Sequence, residues 1–299
     1  MVSVIIPSRN AEFLQRTIDD LFAKAKGEIE VIVALDGFWP DPPLIDRKNL
    51  IIIHHGEVHN NKGMRFSINA GMAIAKGDHV MKIDEHCIVD EGWDEKLLAD
   101  CEDNWIVIPR RYRIDWEKWD ILHDGRPPVD YMHIDYAFQR PNDNTCGLHG
   151  AEWKRPERKD ILIDDTPSFQ GSCYFMSKKH WDTVIKEMDA EKYGQFTQEA
   201  QELGMKTWLS GGRVIVNKKT WYAHYHKGSH GKNYGFSNAQ YRIHQADKEK
   251  GRLYCRDYWL STKDFKYDWE WFMSKFPDMP GWGTDWKERL VQDRAKETV

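Results

Sequence analysis

An apolar run closes on three ionisable side chains at Asp84-Glu85-His86, inside the stretch Lys82-Ile83-Asp84-Glu85-His86-Cys87-Ile88-Val89-Asp90-Glu91-Gly92-Trp93. The segment before it, Asp78 to Ile83, reads as a strand, and residues two apart in an extended chain project to one side. Asp84 and His86 can therefore offer a carboxylate oxygen and an imidazole nitrogen to a single divalent cation, with Glu85 between them at the same site. Carboxylate and imidazole together suit Mn²⁺ or a similar ion. His224 is the candidate third ligand, with His226 as the alternative, in a run that also holds Trp221, Tyr222 and Tyr225. Glu199 and Glu202, three apart on one helical face, could divide catalysis and acceptor binding between them. Each reading has a plain alternative: Asp84 as a turn cap, the histidines in a solvated loop, the glutamates on a solvated helix.

These residues need a frame. Val2 to Ile6 reads as a strand, Glu12 to Ala25 as a helix, and Ile29 to Leu35 and Leu50 to His54 as further strands, an alternation that predicts an α/β fold with a mostly parallel sheet. Ligands of such sheets collect beyond the carboxyl ends of the strands, where Arg9, Asp36 and Asp84 all fall. Neither a G-x-G-x-x-G fingerprint nor a P-loop follows the first strand, so a nucleotide would be held otherwise. Asp36 could bond a base or ribose and Arg9 a base or phosphate; a helix cap and a surface ion pair are the alternatives. The helix expected over Lys62 to Lys76 puts Arg65 and Asn69 on one face, pointing either at the cleft of Asp36 or into solvent.

Downstream, Phe169 to Ser177 reads as a strand broken at Gly171, where backbone can approach a ligand closely, Lys178 to Met188 reads as a helix, and Val214 to Val216 as a further strand. Residues 110–167 show little periodicity and read as loops and short strands, an irregular insert on the acceptor side whose pairs Arg110-Arg111 and Lys154-Arg155 could serve a charged acceptor or be solvated surface. Thr220 to Lys232 reads as a mobile cationic flap whose Lys227 and Lys232 suit a diphosphate. The expected organisation is a catalytic domain over residues 1–232 and an extension over 233–299, with helices and aromatic side chains packed back on the sheet.

The bulk numbers limit the classes. The chain has 299 residues, 40% of them hydrophobic, and a formal net charge of −5. That is enough to bury a large core and gives no general attraction to polyanions. Five cysteines form no C-x-x-C pair, which argues against a structural zinc site or a disulfide framework. No apolar run approaches the roughly 20 residues of a membrane span, and no signal-peptide pattern follows Met1. A cytoplasmic protein without a membrane span is expected.

Together these residues resemble nucleotide-sugar glycosyltransferases of the GT-A fold, in particular glycosyltransferase family 2 and the polypeptide N-acetylgalactosaminyltransferases. Val2-Ser3-Val4-Ile5-Ile6-Pro7 is similar to their opening strand, and Glu30 to Asp36 to the strand whose terminal aspartate meets the uracil-ribose end of the donor. Lys62-Gly63-Met64-Arg65 resembles the helix start that also faces the donor. Asp84-x-His86-Cys87, with Gly92-Trp93 and Leu97-Leu98 behind it, is similar to the Asp-x-His metal motif. Trp208-x-x-Gly211-Gly212 places Glu199 and Glu202 on the two glutamates of the family's Trp-Gly-Gly-Glu-x-x-Glu segment, and Trp221 to His224 falls where the family supplies its distal histidine ligand. Phe196-Thr197-Gln198 stands in place of Trp-Gly-Gly, so the resemblance does not carry the donor sugar.

The resemblance covers residues 2–109 and 168–232. It implies a Rossmann-like GT-A fold and transfer of a sugar from a UDP-sugar with Mn²⁺ or Mg²⁺ held by Asp84, His86 and His224. It also implies that Pro7, Arg9, Asp36, Lys62, Arg65, Asn69, Glu85, Gly171, Lys227 and Lys232 line the donor site. The acceptor, whether glycan, protein, small molecule or modified DNA base, is left open. Two other readings are an enzyme of the virus-encoded kind that glycosylates a modified base in DNA, and a nucleotide-sugar-binding protein without turnover.

Overall fold

A computed structural model describes residues 1–9, 12–57, 60–138, 146–194, 196–225 and 245–297. The β-branched runs form β1 (Val2–Ser8), β2 (Ile29–Asp36), β3 (Leu50–His55) and β4 (His79–Ile83), paired in parallel in the order β3-β2-β1-β4. Helix α1 (Leu14–Lys24) sets Leu14, Ile18 and Leu21 against Val2, Val4, Val31 and Val33 on one face of this sheet. Helix α2 (Met64–Ile74) sets Ile68 and Met72 against Ile5 and Val80 on the other. A Cβ added at Gly71 would come within 2.6 Å of Ile5 Cγ2, which is why α2 needs a small residue there.

The chain continues through β5 (Cys87–Val89), α3 (Trp93–Ala99), β6 (Trp105–Asp115), β7 (Asp120–Ile121), β8 (Met132–Ile134), β9 (Gly150–Glu152), β10 (Ile163–Asp165) and β11 (Cys173–Ser177). After α4 (Lys178–His180), α5 (Ala190–Tyr193) and α6 (Glu199–Leu209) comes the long β12 (Arg213–His224). Beyond β4 the sheet extends as β11-β6-β12-β10, with β11 antiparallel to β4 and β6 and with β6 parallel to β12. The expected mixed, mostly parallel sheet flanked by helices is present.

The insert is loops and short strands: it begins inside β6 and contributes β7 to β10, with β8 and β9 forming a separate two-stranded sheet. Two expectations change. The helix expected from Lys178 to Met188 is three α-helical residues followed by a π-helical turn, Trp181–Ile185, closed by Lys186 at φ 63°. The stretch Thr220 to His224, read as the start of a flap, belongs to β12, which resumes its pairing with β6 after a register shift between Asn217 and Trp221. Residues 226–244, and with them His226, Lys227 and Lys232, lie outside the described residues.

The tail forms α7 (Gln245–Ser261), α8 (Trp269–Lys275) and α9 (Trp286–Glu297). Trp259, Trp269, Phe272, Phe276 and Trp282 join one apolar cluster with Trp208 of α6, so these aromatic side chains of the tail are core. Trp282 is anchored by its indole N–H donating to the Ile134 carbonyl at 2.8 Å. No helix among the described residues is long and apolar enough to cross a membrane.

Candidate active site

Asp84 follows directly after β4, and its N–H donates to the Ser172 carbonyl at 2.9 Å, which fixes it beside β11. The turn to β5 is locked from α1: Thr17 Oγ1 donates to the Glu85 carbonyl at 3.0 Å and accepts from the Cys87 N–H at 3.1 Å. β5 pairs antiparallel with the end of β12, Cys87 opposite His224, and the Tyr225 N–H donates to the His86 carbonyl. Strand pairing thus delivers a histidine 138 residues away in sequence to the Asp84–His86 turn.

Three ligand atoms converge there. His86 Nε2 and His224 Nε2 are 3.0 Å apart, and Asp84 Oδ2 is 3.2 Å from His224 Nε2 and 3.9 Å from His86 Nε2. Both imidazoles are buried, while the Asp84 side chain keeps a quarter of its surface exposed. Burial pushes His224 below the ordinary imidazole value, against the pull of Asp84, and favours the neutral form that binds metals. Burial alone would push the Asp84 carboxyl up. The Lys82 ammonium, and after it His224, overcome that and hold Asp84 well below the usual carboxylate range. One ionised carboxylate and two imidazole nitrogens within 4.8 Å of one another fit a divalent cation.

Behind Asp84 stands Lys82, which sequence reasoning passed over. It is 1% exposed, donates to Asp84 Oδ1 at 2.6 Å and to the Gly171 carbonyl at 2.5 Å, and lies 3.5 Å from Glu199 Oε1. Burial opposes its charge, but Asp84 and then Glu199 raise its pKa above the ordinary lysine value. The available signal was a lysine in step with Val80 and Asp84 on a strand otherwise apolar. Glu199 opens α6 and is buried, and burial pushes its carboxyl up despite Lys82. A Cβ at Gly171 would stand 2.2 Å from Glu199 Oε2, so only glycine lets this backbone approach the carboxylate. Gln198, just before Glu199, adopts φ 60°, a left-handed conformation that favours glycine, and it stands where the resembled segment has glycine.

The other expected site residues are placed differently. Glu202 does not join Glu199: it is 1% exposed and accepts from Arg65, from Lys206 Nζ at 2.7 Å and from the Asp189 N–H at 3.1 Å. Arg65 and Asn69 do not share a cleft with Asp36, nor are they solvated. Arg65 is fully buried against Glu202, the Thr197 carbonyl and the Tyr193 ring, and Asn69 exchanges two 2.9 Å bonds with the Met188 backbone. Hydrophobic periodicity shows that a helix has a buried face, not which groups flank it, and here Arg65 and Asn69 meet the segment from Met188 to Glu202.

Asp36, buried at the end of β2, accepts from the Lys62 and Gly63 N–H groups at 2.7 Å each and so holds the entry to α2, while the Lys62 side chain is exposed. Glu85 accepts from the Ser8 hydroxyl and from the Arg9 N–H at 3.1 Å, tying the end of β1 to the Asp84–His86 turn. Pro7, opposite Ala34, and Arg9 stand at the carboxyl end of β1. The pairs Arg110-Arg111 and Lys154-Arg155, read as candidates for a charged acceptor, are partly committed within the insert: Arg110 makes a two-pronged bond to Asp130 at 2.7 and 2.8 Å, and Arg155 lies 4.2 Å over the Trp153 ring.

Polypeptide N-acetylgalactosaminyltransferase 8 of Drosophila melanogaster is 26% identical to this chain over 225 residues, covering 72% of this chain and 36% of the relative. Human polypeptide N-acetylgalactosaminyltransferase 14 is 26% identical over 228 residues, covering 72% and 38%. The chain therefore spans well under half the length of these curated relatives. The crystal structure of GalNAc-T7 with UDP, GalNAc and Mn²⁺ shares the fold, with a TM-score of 0.65 at 14% identity over 94% of this chain and 58% of that one. Glycosyl transferase family 2 matches residues 3–184, more than half of the sequence, through β1 to β4, the Asp84–His86 turn and β11. The chain belongs to glycosyl transferase family 2.

Proposed function

We propose that this chain transfers a sugar from a UDP-sugar donor to an acceptor, with a divalent cation held by Asp84, His86 and His224. The observation that carries the reading is the convergence of Asp84 Oδ2, His86 Nε2 and His224 Nε2, brought from two distant segments by the β5–β12 pairing. The relatives are named as N-acetylgalactosaminyltransferases, and the structural neighbour contains UDP and Mn²⁺, which supports a UDP-sugar and Mn²⁺ or Mg²⁺. When bound, the cation supplies Lewis acidity toward the diphosphate leaving group.

The chain's own residues divide the remaining work. Pro7, Arg9, Asp36 and Lys62 stand where the nucleotide of an α/β sheet is received, beyond the carboxyl ends of β1 and β2. Glu199, one lysine removed from Asp84 and pressed against Gly171, is the carboxylate assigned to the reacting sugar or its acceptor. Glu202, Arg65 and Asn69 hold α6 and α2 in register and have a supporting role. Lys227 and Lys232 are assigned to the diphosphate on sequence alone.

The test is UDP release from a panel of UDP-sugars, with and without Mn²⁺ and with no acceptor added, for the wild type and Asp84→Ala. Metal-dependent release by the wild type and its loss in the variant are expected. Release that ignores both the metal and the substitution would overturn the assignment.

A further inference from the structure

Lys82 is the feature that the mechanism does not use. In the register of β4 it lies beside Tyr174 of β11, on the face that carries Val80, where the neighbouring apolar cluster offers a methionine or leucine a natural place. A buried ion pair seldom stabilises a fold beyond what a well-packed apolar residue would give, so burial of this ammonium calls for another account. Its partners supply one. Lys82 Nζ holds Oδ1 of Asp84, the carboxylate whose Oδ2 faces the two imidazoles, and also neighbours Glu199 and the Gly171 carbonyl.

We propose that Lys82 is a positioning residue and built-in counter-cation: it fixes Asp84 so that only Oδ2 faces the metal site, and its charge weakens binding of a divalent ion until a nucleoside diphosphate adds its own negative charge. This rests on the reading of Asp84, His86 and His224 as a metal site. Two effects of removing the lysine oppose each other. A misaligned outer partner typically lowers metal affinity tenfold to a hundredfold. Deleting a full positive charge bonded to the ligating carboxylate raises it, and at the effective dielectric of about 20 that applies even to buried sites the charge effect between groups a few ångström apart is still the larger. Neutral variants should therefore bind metal more tightly without nucleotide and gain less from nucleotide.

The experiment is Mn²⁺ titration followed by the electron paramagnetic resonance of free Mn²⁺, with and without UDP, on the full chain as wild type, Lys82→Met, Lys82→Gln and Asp84→Asn. UDP is expected to tighten wild-type Mn²⁺ binding at least tenfold. Lys82→Met should tighten nucleotide-free binding at least threefold and reduce the UDP effect by a similar factor. Nucleotide-free affinity in Lys82→Met that is weaker, or tighter by less than threefold, overturns the proposal. If melting curves show that Lys82→Met does not fold, the same criterion is applied to Lys82→Gln, which retains an amide donor for Asp84. If neither folds, a UDP effect on wild-type binding below threefold overturns it. Asp84→Asn separates the two claims: unchanged Mn²⁺ binding in that variant removes the metal site itself, whereas lost binding beside an unaltered Lys82→Met removes only the role of Lys82.

Discussion

Two glutamates on α6 stand less than one helical turn apart and live in opposite circumstances. Glu202 is sealed into a cluster with Arg65, Lys206 and the Asp189 N–H. Glu199 is nearly as buried, yet it meets its charged neighbour Lys82 only at 3.5 Å, and that lysine is shared with a carboxylate whose other oxygen faces two imidazoles. Residue type, spacing and burial do not separate the two. What separates them is what their partners also touch: more protein for Glu202, and through Lys82 and Asp84 the two imidazoles for Glu199. On the proposed reading the first charge serves the fold and the second the chemistry.

The comparison is broken most directly by exchanging the roles. Glu199→Gln keeps the shape and should lower donor turnover by roughly 10²–10⁴-fold, about 3 to 5 kcal/mol of barrier, with Mn²⁺ binding within a few-fold of wild type; steady-state UDP release and a Mn²⁺ titration check it. Glu202→Leu should do the reverse, costing about 3–5 kcal/mol of stability by stranding Arg65, read as a lowered denaturation midpoint. Adding Arg65→Met to Glu202→Leu should return most of that loss, since an apolar pair can replace a buried ion pair; a double variant as unstable as the sum of the singles would refute the structural reading of Glu202. Gly171→Ala, whose methyl would collide with Glu199 Oε2, should cost about 1–3 kcal/mol of stability from overpacking and reduce turnover by displacing Glu199; equal turnover would show that Glu199 need not be held there.

Much of this was legible in the sequence. β1 to β4 announce themselves as β-branched runs closed by turn residues, and Asp84 and His86 are two apart at the end of a strand, so their shared side follows from geometry. The distance between His86 and His224 could not be read that way: it depends on the pairing of β5 with a strand that the lysines and polar residues from Asn217 to Thr220 made look finished at Val216. Arg65 and Asn69 share a face as their spacing requires, but what receives that face is decided by the backbone at Met188 and Thr197, more than 100 residues downstream. Lys82 was passed over for a related reason. A lysine near a strand end ordinarily extends its ammonium to water, and only the fold brings Gly171 and Glu199 to its side.

The central claim is that Asp84, His86 and His224 hold one divalent cation for a nucleotide diphosphate. Its most direct test is an anomalous-scattering crystal structure of the chain with Mn²⁺ and UDP. The account predicts a single strong anomalous peak at a coordination distance of about 2 Å from Asp84 Oδ2, His86 Nε2 and His224 Nε2, with diphosphate oxygens completing the shell. A UDP molecule bound with no peak at these three atoms, or a peak held by other residues, would contradict it.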